Sequence, residues 1–258
     1  MIGAFTVTFS GFDLTTIPDV HFSRRFPHEL PERQVKTGKL ARAHGGKVLS
    51  VFYGSKKILM EGYIESVDRD EMEVARDVLL YRLQPQEANL DIRQSGALRT
   101  YITTMKNVAW THIEGGRMLF SIEFEANNPF GQDTSATALT FTNPNTAALF
   151  DTPITFGGSF NADIILAVAL SSGTGLTNKI MTITNPQTGE FISVTRTWTA
   201  GDSLVIDVAN KSVTVNSVEV AYNGVFPSFS PGLQTIRYTD TFTTRSVSLS
   251  GSYYKRYL

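Results

Sequence analysis

The stretch Met118-Leu119-Phe120-Ser121-Ile122-Glu123-Phe124-Glu125 decides the fold class. Phe120, Ile122 and Phe124 alternate with Ser121, Glu123 and Glu125. Successive side chains of an extended chain point to opposite faces, so this segment has one apolar and one polar face: a half-buried strand. Upstream, Glu87 to Ile92 and Leu98 to Ile113 alternate in the same way, with Gly115-Gly116 turning the chain before Met118. Val48 to Tyr53 and Ile58 to Val67 are rich in β-branched and aromatic residues, and the turn Gly54-Ser55-Lys56-Lys57 between them predicts a hairpin. Between hairpin and later strands lies one helix, residues 69–83. Met72, Ala75, Leu79 and Leu83 share a stripe that Val78 widens, Asp68 and Glu71 fit a capping box, and Pro85 stops it. Such a helix covers a sheet.

From Phe12 to Gly46 neither helical nor strand periodicity is visible. This region is basic: His21 to Lys47 holds seven Arg and Lys against two Glu, a net +5. Val48 to Thr134 compensates with nine basic and thirteen acidic residues. From Gln132 to Asn145 the composition turns to Thr, Ser, Ala and Asn, which places a domain boundary near 133. Beyond it short apolar runs recur between turn signals at Gly157-Gly158, Gly173, Asn185-Pro186, Gly201-Asp202, Asn216, Asn223-Gly224 and Pro231-Gly232. That rhythm predicts an antiparallel β-sandwich. The expected chain is therefore mainly β, with an α+β domain over 1–133 and a sandwich over 134–258.

A net charge of −1 over 258 residues gives no global field to draw the chain to nucleic acid or anionic lipid. The absence of cysteine removes disulfides, thiolate metal sites and cysteine nucleophiles. Met1 to Phe9 has no basic n-region and reads as a strand, not a signal peptide. The apolar run Ile164 to Leu170 is far too short for a bilayer, which takes about 20 residues, so no membrane partner is expected.

No catalytic pattern emerges. His21, His28, His44 and His112 have no second ligand at metal-site spacing, and no nucleophile elbow, phosphate loop or dinucleotide fingerprint is present. The expectation is a non-enzyme with no cofactor and no metal. Two candidate sites remain. Arg24, Arg25, Arg33, Lys36, Lys39 and Arg42 form a basic stretch, read as an assembly or docking arm in preference to a nucleic-acid site because stacking aromatics there are few. Trp198 is the candidate sugar platform, provided its ring is exposed beside polar groups.

An ordered series of features in the second half resembles the distal tail proteins of siphophages. It runs Pro153-Ile154-Thr155-Phe156-Gly157-Gly158, Met181-Thr182-Ile183-Thr184-Asn185-Pro186-Gln187-Thr188-Gly189-Glu190 and Gly201-Asp202-Ser203-Leu204-Val205-Ile206-Asp207. Val213-Thr214-Val215-Asn216, Phe229-Ser230-Pro231-Gly232-Leu233-Gln234-Thr235-Ile236 and Tyr253-Tyr254-Lys255-Arg256-Tyr257-Leu258 complete it. The first half adds a β, helix, β order that closes at Asn128-Pro129-Phe130.

The resemblance implies a first domain that assembles into a six-fold ring and a second, galectin-like sandwich outside it. It implies partners too: the tail tube protein, tail-tip and baseplate proteins, and DNA that passes without specific binding. The expected location is the virion tail, after synthesis in the host cytoplasm. The basic stretch is longer than the family pattern suggests, and is read as an arm reaching a neighbouring subunit or the tube. Carboxylates from Val48 to Thr134 are expected to line the channel and repel phosphate. The alternatives are a carbohydrate-binding module used in host recognition, and a tube protein with an appended sandwich.

Overall fold

The structure is a computed structural model that describes residues 5–23, 30–39, 46–94, 97–113 and 116–257. It divides into two compact units, one running to Thr134 and the other spanning Ser135–Tyr257.

In the first unit the strands are β1 (Thr6–Phe9), β2 (Phe12–Asp13), β3 (Val20–Phe22), β4 (Arg33–Lys39), β5 (Gly46–Tyr53), β6 (Lys56–Glu65), β7 (Ala88–Gln94), β8 (Ala97–Ile113), β9 (Arg117–Ala126) and β10 (Gly131–Gln132). A 3-10 turn covers Leu14–Thr16, and helix α1 spans Arg69–Arg82 between β6 and β7. One antiparallel sheet runs β2-β1-β7-β8-β9-β6-β3, with β10 pairing β8. Register explains the β6–β9 pair: Ile58, Met60 and Ile64 lie across from Phe124, Ile122 and Met118, so both apolar faces are buried together. Val7, Phe9, Leu90 and Tyr101 continue this face, and Met72, Ala75, Leu79 and Leu83 of the helix region join the same core.

Helix capping differs in detail from the capping box. The Asp68 carboxylate accepts from the Asp70 N–H at 2.9 Å, while Glu71 accepts from the Ser66 hydroxyl at 2.7 Å and Ser66 Oγ accepts from the Asp68 N–H at 3.3 Å. Ser66 thus relays the contact that a direct box would make. Val78 does not widen the buried stripe; it is 38% exposed.

The hairpin expected from Val48–Tyr53 and Ile58–Val67 does not form. β5 pairs with β4 in a two-stranded sheet of its own, whereas β6 pairs with β9 and β3. The Gly54 N–H turns back to the Glu32 carbonyl at 2.8 Å instead of across to β6. The distant strand offers β6 a matching apolar face that is buried along its length, whereas Val51 and Phe52 of β5 stay exposed. Likewise, the region expected to lack periodicity contains β2, the 3-10 turn, β3 and β4, strands too short or too polar to show a period.

In the second unit the strands are β11 (Thr137–Leu139), β12 (Leu149–Phe156), β13 (Ile164–Thr174), β14 (Lys179–Thr184), β15 (Phe191–Arg196), β16 (Ser203–Asp207), β17 (Ser212–Val215), β18 (Val218–Glu219), β19 (Asn223–Gly224), β20 (Gly232–Asp240) and β21 (Thr244–Tyr253). They form two antiparallel sheets, β11-β21-β13-β16-β17-β18 and β12-β20-β14-β15-β19. Ile164, Leu166, Val168 and Leu170 of the first sheet share one core with Met181, Ile183, Ile192, Val194, Ile236 and Tyr238 of the second. The turn at Gly201 has φ +97°, a left-handed conformation that glycine adopts without a Cβ penalty. Asp202 beside it accepts from the Thr199 N–H at 2.9 Å and the Asn216 side-chain amide at 2.8 Å, locking the entry to β16. The mainly β class is the expected one.

Candidate assembly surfaces

The basic stretch is split by the fold. Arg33, Lys36 and Lys39 lie on β4, in the arm that β4 and β5 make; Arg24, Arg25 and Arg42, like His28 and His44, lie outside the described residues. In the arm Arg33 pairs with Tyr53, Gln34 with Phe52, Val35 with Val51 and Lys36 with Ser50. Directly opposite residues share a face, so Val35 and Val51 stand on one side and Phe52 and Lys36 on the other. All four are exposed, Val35 at 46% and Phe52 at 50%, and the Lys36 ammonium sits 5.4 Å above the Phe52 ring. The arm is anchored at its base, where Tyr53 meets Phe130 edge-on at 5.6 Å.

On the polar face of the large sheet, carboxylates and cations alternate between strands. Lys57 pairs with Glu123 at 3.0 Å, Lys106 with Glu125 at 2.9 Å, and Arg117 with Glu65 at 2.7 Å. The Ser55 hydroxyl at 2.6 Å and Lys106 hold the Glu125 carboxyl below the usual carboxylate range. The Arg117 guanidinium also lies 5.3 Å from the Tyr63 ring centre, and Tyr63 in turn packs 5.0 Å from the exposed His21. Of the acidic residues expected to line a channel, these three are each matched by a cation.

In the second unit, the features that carry the family resemblance close the sandwich. Phe156 stacks on Phe229 at 5.1 Å and meets Tyr253 edge-on at 4.9 Å. The Gly157 N–H donates to the Tyr253 hydroxyl at 2.9 Å. At Gly158, φ is +105° and a Cβ would lie 2.6 Å from the Arg256 carbonyl, so only glycine fits there. The Arg256 guanidinium reaches Asp163 at 2.5 Å and covers the Phe160 ring; burial lowers its pKa, with Asp163 opposing. Asn185 is fully buried, its side-chain amide donating to the Ser228 carbonyl at 2.6 Å. These residues hold the fold.

Trp198 is not a sugar platform. It is 2% exposed, its indole N–H donates to the Lys179 carbonyl at 3.0 Å, and its ring packs against Phe242 at 6.2 Å. An apolar residue this large gains more from the core than from solvent, and its one polar atom is satisfied there. The helix presents a feature the sequence reading passed over: Val74 is 62% exposed, Val78 38% and Tyr81 64%, a second apolar stripe opposite the buried one. Their spacing of four and three residues was the available signal.

Residues 157–257 match the family described as the siphovirus-type tail component, C-terminal domain. No curated protein matches the chain. Among solved structures, the SPP1 Dit protein (gp 19.1), described as a paradigm of the hub adsorption apparatus in phages infecting Gram-positive hosts, has the same fold: TM-score 0.70 at 12% identity, over 99% of this chain and 100% of that one. Chains of the phage p2 baseplate in its activated conformation, with Ca and with Sr, align at TM-scores of 0.45 and 0.46, each at 10% identity over 98% of both chains. The sequence of residues 157–257 is thus similar to the siphovirus-type tail component family, and the fold of nearly the whole chain is that of the SPP1 Dit protein.

Proposed function

We propose that this chain is a structural hub subunit of a siphophage tail tip. Six copies close into a ring through the first unit, and the ring joins the tail tube to the tip or baseplate and lets DNA pass. Its work is geometry and docking, with no catalytic step and no cofactor. The observation that carries the reading is the family match over residues 157–257 on a chain whose whole fold is that of a hub protein. The second unit is the galectin-like module, and the arm of β4 and β5 is the docking element. As part of a tail, the protein belongs to the virion and is made in the host cytoplasm.

The physical logic is consistent. Among the described residues the large sheet ends in short edge strands, β2 on one side and β3 on the other. Closed rotational assembly satisfies such edges where a monomer risks open-ended association. A sheet face on which Lys57, Lys106 and Arg117 are balanced by Glu123, Glu125 and Glu65 grips phosphate weakly, as a DNA passage requires. Negative-stain images of the purified full chain test the reading: six-fold rings with a central hole are expected, and uniformly small single particles at high concentration contradict it.

A further inference from the structure

Two surfaces of the first unit are exposed, apolar and opposite in charge. The first is the arm. Among the described residues its two strands join no other sheet, and a two-stranded hairpin buries too little to be stable alone in water, so it calls for a cover. Residues 33–53 contain five Arg and Lys and no acidic residue. Since Tyr53 on one face meets Phe130, the other face, with half-exposed Phe52 beneath the Lys36 ammonium, is turned away from that contact.

The second is the outer stripe of α1. Val74, Val78 and Tyr81 are exposed, with Asp70 one turn before Val74 and Asp77 beside Val78. From Glu65 to Asp77 there are six acidic residues and two basic. Within one chain the arm does not cover this stripe, because Phe52 and all three stripe residues are exposed together.

We propose that the Phe52–Lys36 face of one copy's arm docks on the Val74–Val78–Tyr81 stripe of α1 in a second copy. The proposal rests on the ring reading above and gives it a contact. The two surfaces are different, so the contact is head-to-tail, the kind that propagates round a ring instead of ending in a pair. Phe52 is the aromatic anchor between the valines, and Lys36 faces Asp70 and Asp77. A second copy is favoured over nucleic acid because the arm's exposed apolar side chains find a match in the valines, which phosphate cannot supply.

The full chain has no cysteine, so introduced thiols give unambiguous cross-links. Phe52→Cys chains are mixed with Val78→Cys chains and oxidised, with Leu149→Cys, exposed on the second unit, as the control partner. A cross-linked dimer of the first pair only is expected, and a ladder from the double variant. Phe52→Ala should weaken self-assembly about tenfold. Lys36→Glu should weaken it as well, and Asp77→Lys in the same chain should restore it, which separates contact from misfolding. Ring-sized wild-type assemblies with no cross-link above the control, and Phe52→Ala assembling like wild type, overturn the docking and leave the ring reading intact. A wild-type chain that stays monomeric overturns both.

Discussion

Phe120 stands directly across from Gly62 in the register of β9 and β6, and its ring fills the space a side chain would take. A Cβ on Gly62 would lie 2.3 Å from Phe120 Cζ and 2.4 Å from the His21 carbonyl. Phe22 and Trp110 pack on the same ring at 5.2 and 5.8 Å, so four strands lock at this point. The missing side chain lets an aromatic cover the sheet close to its β3 edge.

Gly62→Val therefore forces both the ring and the β3 backbone to move. A loss of about 3 kcal/mol or more is expected, at the upper end of overpacking, because one of the clashing atoms is main chain. Urea unfolding of the variant against wild type measures it.

Asp240 and Arg245 form a buried pair in the second unit. The Asp240 side chain is fully buried and that of Arg245 is 10% exposed, at 2.9 Å. Asp240 also accepts from the Phe242 N–H at 2.7 Å, and Arg245 donates to the Phe242 carbonyl. Arg245→Met leaves a buried carboxylate uncompensated and should cost about 3–5 kcal/mol; adding Asp240→Asn should recover much of this. Thermal unfolding of the single and double variants checks both signs.

Glu190 predicts acid sensitivity. Burial pushes its pKa up, but the Ser228 N–H at 2.8 Å, the Ser228 hydroxyl at 2.9 Å and the Thr188 hydroxyl at 3.0 Å outweigh it, so the folded pKa is lowered. A depressed folded pKa stabilises above the unfolded value and loses that contribution as pH falls through the folded one. The unfolding midpoint should therefore drop as pH falls below about 4, and Glu190→Gln should be less stable near neutrality and flatter across that window. Asp151, held low by Arg237 at 2.7 Å, adds to the same trend.

Trp198 should fluoresce as a core residue. With Trp110→Phe only Trp198 remains, and its emission should be blue-shifted and poorly quenched by iodide. Trp198→Ala should cost about 3–5 kcal/mol, the price of a large cavity. Easy quenching would show a ring open to solvent and revive the sugar platform.

Legibility followed locality. The alternation at Phe120, Ile122 and Phe124 and the stripe Met72, Ala75, Leu79 are one-element signals, and each names its buried face correctly. Partner choice is not local: nothing near Tyr53 announces that β5 pairs backward with β4, or that β6 pairs with a strand some sixty residues on. Trp198 shows the limit for single residues, since an aromatic reads alike as platform or core until its indole N–H is found bonded to Lys179. The outer stripe of α1 was present in the spacing of Val74, Val78 and Tyr81, but exposure, which gives it meaning, belongs to the fold.

The central claim is that the chain closes on itself as six copies. Native mass spectrometry of the purified full chain at neutral pH, over a rising concentration series, tests it most directly. The account predicts a species of about 170 kDa, six chains of 28.4 kDa, or a multiple of it. A single 28.4 kDa species persisting at the highest concentration would contradict it.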